Sequence, residues 1–267
     1  VKPTVHELTV TDGTVISYTV FEGADPAVVI LHGLMGSGRE FIPTAHALEG
    51  RKVVLVDLRG HGRSTRIPSD LSRDAFVSDV AAVIDAVTEG GTTGPVDLVG
   101  QSMGGHTAML VGAAHPEKVR RLVLLEVDEG NGSPEDHADL GEWLRAWPVP
   151  FANREAAIAH LGDDPLSQAW ANDLEQRADG LHPRFDADVM VETIRAVAVP
   201  RWEEWESVSA PTLAVYAKGG MFTAEQKDRF ISRGAQVTRV DLAGGSHDAH
   251  LDAFDEWVAA LSGFVAA

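Results

Sequence analysis

One serine in this chain stands where a serine can act as a nucleophile. It is Ser102, within Pro95-Val96-Asp97-Leu98-Val99-Gly100-Gln101-Ser102-Met103-Gly104-Gly105-His106, where an apolar run enters a Gly-x-Ser-x-Gly turn with no polar linker. A helix-like segment, Thr107 to Ala114, follows at once. Strand, sharp turn and helix place Ser102 at the apex in a strained backbone conformation, so its neighbours must be small, and Gly100, Gly104 and Gly105 supply that. A chain with 26 glycines can match five letters by accident, as an ordinary glycine turn that contains a serine. Here the pattern occurs once, between the elements that the chemistry requires. A serine hydroxyl is almost wholly protonated at neutral pH, so it needs a base, and the base needs a carboxylate on its other nitrogen to fix the tautomer.

The elements that must position such groups read in order. Val5 to Val10 and Val15 to Val20 form a hairpin about Thr11-Asp12-Gly13-Thr14, and Ala27 to Leu31 is a buried strand. The strand ends in the glycine-rich turn His32-Gly33-Leu34-Met35-Gly36-Ser37-Gly38, before a helix that closes near Leu48. Lys52 to Val56 is the next strand. Ser72 can cap the following helix, whose Phe76, Val77, Val80, Val83, Ile84 and Val87 share one face. Val119 to Val127 reads as a sixth strand, Ala210 to Ala217 as a seventh and Gln236 to Leu242 as an eighth, with a last amphipathic helix from about Ala253 to Phe264. Between the sixth and seventh strands, residues 131–208 hold six prolines and five of the six tryptophans, with helical stretches and no convincing strand.

GQSMGG around Ser102, LHGLMG upstream and GGSHDAHL near the end resemble the α/β-hydrolase superfamily. The resemblance implies an α/β fold with a mostly parallel central sheet flanked by helices. Residues 1–130 and 209–267 would form the core and residues 131–208 an inserted helical cap. It further implies that the N–H groups of Leu34 and Met103 form the oxyanion hole and that His247, after the last strand, is the base. His250 would be structural or a cap contact, and the loop from Asp57 to Ser64, with His61, would be structural too. The acid departs from the commonest pattern, because Ala217-Lys218-Gly219-Gly220-Met221-Phe222, after the seventh strand, holds no carboxylate. Some members carry the acid at the end of strand six. Glu126 ranks first on that ground, Asp128 second, and Glu225 third, since Glu225 is also explained as the first turn of a helix capped by Thr223 and Gln226.

A serine nucleophile argues against dehalogenases and epoxide hydrolases of this fold, which use aspartate. The expected reaction is acyl transfer to water from a small, neutral, fairly apolar carboxylic ester or lactone, with no metal or organic cofactor. Two alternatives keep the same triad: a carbon–carbon bond hydrolase of diketone-like substrates, and a slow-turnover small-molecule receptor. Trp143 and Trp147, one helical turn apart, are candidates for substrate contact, with mutual packing as the other reading. A formal net charge of −18, from 40 acidic against 22 basic residues, repels phosphate backbones and anionic lipid, so neither nucleic acid nor membrane is an expected partner. The absence of cysteine removes disulfides, a thiol nucleophile and thiolate metal sites. The chain shows no secretory signal after Val1 and no membrane-length apolar run, which leads to the expectation of a cytoplasmic monomer or homodimer.

Overall fold

The computed structural model describes residues 2–266. Eight strands form one sheet: β1 (Thr4–Thr9), β2 (Val15–Phe21), β3 (Ala24–Leu31), β4 (Arg51–Asp57), β5 (Val96–Gln101), β6 (Val119–Leu125), β9 (Thr212–Tyr216) and β10 (Val237–Asp241). Their order is β1-β2-β4-β3-β5-β6-β9-β10. The β1–β2 and β2–β4 pairs are antiparallel and every other pair is parallel.

The central strands carry unbroken apolar runs, among them Ala27–Leu31, Val53–Val56 and Leu122–Leu125, because both sheet faces are covered there. Alternation decides which side chain goes where. Val29, Leu31, Val54, Val56, Leu98, Leu122 and Leu124 enter one core layer. There they meet α2 (Arg73–Glu89), α3 (Met103–Ala114), α8 (Trp202–Ser207) and α9 (Ala224–Arg233). Val28, Ile30, Val53, Leu55, Val99, Val123 and Leu125 enter the other. That layer is closed by α1 (Ile42–Ala47), which a 3-10 turn at Gly38–Phe41 precedes, and by α10 (Ala249–Asp252) and α11 (Phe254–Ala266). The caps read from sequence form: Ser72 accepts the Ala75 N–H, and Thr223 and Gln226 close a reciprocal box on α9.

Between β6 and β9 lie α4 (Pro134–Arg145), α5 (Arg154–Leu161), α6 (Pro165–Asp173), β7 (Glu175–Arg177), β8 (Gly180–His182), α7 (Ala187–Val197) and α8. Leu144, Trp147, Phe151, Ala157, Ala171, Phe185, Val189 and Met190 from this segment pack round Met35 of the turn after β3. The β7–β8 hairpin corrects the strandless reading of the segment. Each of its strands is three residues long, too short to show an alternating pattern. The last helix, α8, does not lie with the others, because Trp205 is buried in the first core layer, stacked on Phe230 at 4.2 Å. β6 also ends earlier than expected. Glu126 takes a φ of 53°, which turns the chain out of the sheet after Leu125. Among the described residues no helix is long and apolar enough to cross a membrane.

Candidate active site

The site is built at the carboxyl ends of the strands, where side chains from several loops converge. β5 runs to Gln101, and Ser102 turns the chain into α3 with φ 51° and ψ −121°. Its N–H donates to the Leu125 carbonyl and its own carbonyl accepts from the His106 N–H, both at 2.9 Å. The turn leaves no room beside it. A Cβ on Gly104 would lie 2.4 Å from the His32 carbonyl oxygen and 2.5 Å from that of Leu31. Met103 opens α3, so its N–H is among those with no acceptor inside the helix.

The facing loop is held by His32. Its Nε2 accepts the Leu58 N–H at 3.0 Å, and its Nδ1 lies 2.7 Å from the Gly33 carbonyl. That pair of contacts requires the proton on Nδ1. Burial agrees with a neutral ring, lowering the His32 pKa to about 4. Leu34 follows at once and lines the cavity above Ser102, and Met35, at φ 66°, closes the loop.

His247 presents Nδ1 to Glu126 Oε2 at 3.5 Å across 121 residues of sequence. Glu126 is 1% exposed. Its Oε1 accepts the Ala217 N–H at 2.7 Å and its Oε2 the Met221 N–H at 2.9 Å, so the carboxylate is fixed on the loop that follows β9. Gly220 makes this possible. A Cβ there would lie 2.1 Å from Oε1 and 2.4 Å from Cδ of Glu126. The acid from the end of β6 thus fills the space that a side chain after β9 would take. Gln101, at the end of β5, holds the loop of His247, its Nε2 donating to the His247 carbonyl at 3.1 Å. This residue was missed in sequence, although a buried glutamine ending an apolar strand is a visible signal.

A cavity of about 470 Å³ rises above Ser102 and His247, with an adjoining lobe of about 260 Å³ that shares both residues. Leu34, Leu140, Leu166, Trp170, Ile194 and Met221 form its apolar wall. Acids line it and, among the described residues, no lysine or arginine does. Trp143 and Trp147 are not on that wall. Trp147 is 6% exposed, packed in the segment's own core, and Trp143 is 44% exposed. Both touch Trp170 at 6.1 Å between ring centres, so Trp170 is the indole that reaches the cavity.

The structure separates the three acids. Asp128 lines the smaller lobe, with Oδ1 accepting the Gly130 N–H at 3.0 Å, and burial pushes its pKa up to about 6. Glu225 is exposed on the first turn of α9. Of the three, Glu126 is the one within reach of His247. His250 is buried against Phe41, rings stacked at 4.3 Å, and its pKa falls to about 4. Asp57 accepts the N–H groups of Gly38 and Arg63, at 2.8 and 2.9 Å, and the His61 Nδ1 lies 2.9 Å from the Arg59 carbonyl. Both hold loops.

The chain is 29% identical to the sn-1-specific diacylglycerol lipase ABHD11 of Mus musculus over 94% of its own length and 85% of that protein's. Its fold superposes on that of E-2-(acetamidomethylene)succinate hydrolase with a TM-score of 0.87, at 20% identity and full coverage of both chains. On the enol-lactonase from Burkholderia xenovorans LB400 the TM-score is 0.78, at 19% identity, covering 98% of this chain and all of the other. Residues 26–175 match the family model of the alpha/beta hydrolase fold. That span runs from β3 through the Ser102 turn and covers more than half the sequence; the chain belongs to the α/β-hydrolase fold family.

Proposed function

We propose that this protein is a serine hydrolase of small, neutral, fairly apolar carboxylic esters or lactones. The observation that carries the reading is the Glu126 carboxylate, fixed by two backbone N–H groups and directed at His247 Nδ1, beside a cavity whose floor holds Ser102. With the Nδ1 proton held toward Glu126, Nε2 is free to take the Ser102 hydroxyl proton as the oxygen attacks the carbonyl carbon. Negative charge then develops on the carbonyl oxygen, where the N–H groups of Leu34 and Met103 stabilise it. His247 returns the proton to the departing alcohol, and water repeats the sequence on the acyl-enzyme. The apolar wall and the lack of a lining cation favour uncharged substrates. The mouse relative is a diacylglycerol lipase and the Burkholderia neighbour an enol-lactonase, which agrees with ester-type chemistry.

The test is a panel of p-nitrophenyl esters of rising chain length, run beside aromatic lactones and vinylogous diketones. Turnover of esters or lactones supports the reading. Turnover of diketones alone would replace it with carbon–carbon bond cleavage, and binding with negligible turnover of all three would replace it with a receptor.

The wall makes a further expectation. Trp170→Ala should change the hexanoate-to-acetate ratio of kcat/KM by about tenfold, whereas Trp143→Ala should leave it within about twofold. Equal effects of the two substitutions would return Trp143 to the substrate wall.

A further inference from the structure

Glu40 is a buried carboxyl in the substrate cavity that the reaction above does not use. It follows the loop of Leu34, sits in the 3-10 turn before α1, and lines the 470 Å³ cavity together with Leu34, Ser102, Trp170 and His247. It is 8% exposed, and its carboxyl accepts one hydrogen bond, from the Ser37 backbone N–H. The nearest ring nitrogen, His250 Nε2, is 3.6 Å away, too far for one.

The surroundings carry the same sign. Asp57 faces Glu40 from the end of β4, Asp173 from α6, and Asp248 and His250 from the turn into α10. The neighbouring cations are directed elsewhere: Arg63 to Asp57 at 3.9 Å, and Arg39 and Arg184 to Asp173 at 3.4 and 3.8 Å. Burial, with Asp173 and Asp57 beside it, pushes the Glu40 pKa up from 4.5 to about 8. At neutral pH the group is therefore a carboxylic acid that accepts the Ser37 N–H and still has an O–H to donate, for which the described residues offer no acceptor within hydrogen-bond distance. An acid kept neutral in an apolar pocket is suited to recognising an acceptor on a ligand.

We propose that Glu40 determines acyl specificity by donating a hydrogen bond to an uncharged oxygen on the acyl chain. The preferred substrates are then esters or lactones whose acyl part carries a keto, hydroxy or further ester oxygen beyond the scissile carbonyl. This rests on the ester-hydrolase reading and narrows it. Acyl groups ending in a carboxylate are disfavoured, because Glu40, Asp136 and Asp248 line the cavity and, among the described residues, no lysine or arginine does.

The experiment compares p-nitrophenyl 4-oxopentanoate and 5-oxohexanoate with pentanoate and hexanoate. The ratio of kcat/KM within a pair cancels the titration of His247. For the wild type at pH 6.5, one oxo ester should exceed its parent by about tenfold, as expected for one good hydrogen bond. The ratio should fall toward one by pH 9.5 as Glu40 ionises. Glu40→Leu should bring it to about one at both pH values, and Glu40→Gln, which keeps a donor, should hold it at both. Stability gives a separate readout. The folded chain keeps a proton that the unfolded chain releases, so stability is lost as pH rises from 4.5 through about 8, and Glu40→Gln should raise the Tm at pH 9.5 more than at pH 5. A wild-type ratio near one at pH 6.5, or an undiminished ratio in Glu40→Leu, overturns the proposal. If no ester is turned over, the ester-hydrolase reading fails by itself. Calorimetric binding of ethyl 5-oxohexanoate against ethyl hexanoate to Ser102→Ala then decides the role of Glu40.

Discussion

Glu126→Gln should lower kcat by about 10⁴-fold, because His247 loses the group that holds its proton on Nδ1. A further cost is visible in the structure. The Ala217 and Met221 N–H groups each donate to a different Glu126 oxygen, and an amide offers one oxygen to two donors. One N–H is left unpaired, worth about 1–3 kcal/mol if it is the buried one of Ala217, which should appear as a Tm lower by several degrees. A placement test separates a lost orienter from a damaged strand end. In the commonest pattern of the superfamily that the sequence resembles, the acid would follow the seventh strand of the sheet, where this chain has Gly220. Gly220→Asp cannot be combined with Glu126→Gln, since its Cβ would run into the residue 126 side chain. It can be combined with Glu126→Gly, and glycine accepts the φ of 53° at position 126 without strain. Relative to Glu126→Gly alone, the double variant should recover at least about tenfold in kcat, a coupling possible only if both residues act on one partner. Asp128→Asn, in the adjoining lobe, should cost less than about tenfold. Wild-type kcat in Glu126→Gln would pass the acid role to Asp128.

Ser102→Ala should lose about 10⁶-fold in kcat, leaving the small residual rate that binding and the oxyanion donors support. A fluorophosphonate should label the wild type once, at Ser102, and should not label this variant. Stability should move the other way for a second substitution. Ser102 holds φ 51° and ψ −121°, a conformation costly for any side chain by about 1–3 kcal/mol and open to glycine. Ser102→Gly should therefore be as inactive as Ser102→Ala yet melt several degrees higher than it, by thermal denaturation of the two side by side. Labelling at another residue, or an active alanine variant, would remove the hydrolase reading. Equal Tm values would show that the turn stores no strain at this position.

The features legible in the sequence are those whose parts are neighbours along the chain. The strand–turn–helix around Ser102 and the eight sheet strands are local patterns, and so is the box on α9. Burial of both sheet faces shows directly as unbroken apolar runs. Which acid serves His247 could not be read that way. Glu126 and Asp128 have the same parity on a strand, but β6 ends at Leu125, and the positive φ at Glu126 breaks the alternation between them. Glu126 then reaches across β9 to a loop 91 residues away, into space left by Gly220. The aromatic wall is a similar case. Trp143 and Trp147 sit together by helical spacing, but Trp170, from another helix, stands between them and the cavity. Glu40 reads as an ordinary acid near a helix start until Asp57, Asp173, Asp248 and His250 are folded around it. Hydrophobic periodicity states which face of an element is buried and says nothing of what covers it. The covering groups come from distant segments, and their distances set the reach of each side chain, so the sequence could rank Glu126 first as the proposed acid, but its reach to His247, the wall and the polar end of the pocket come from the tertiary structure.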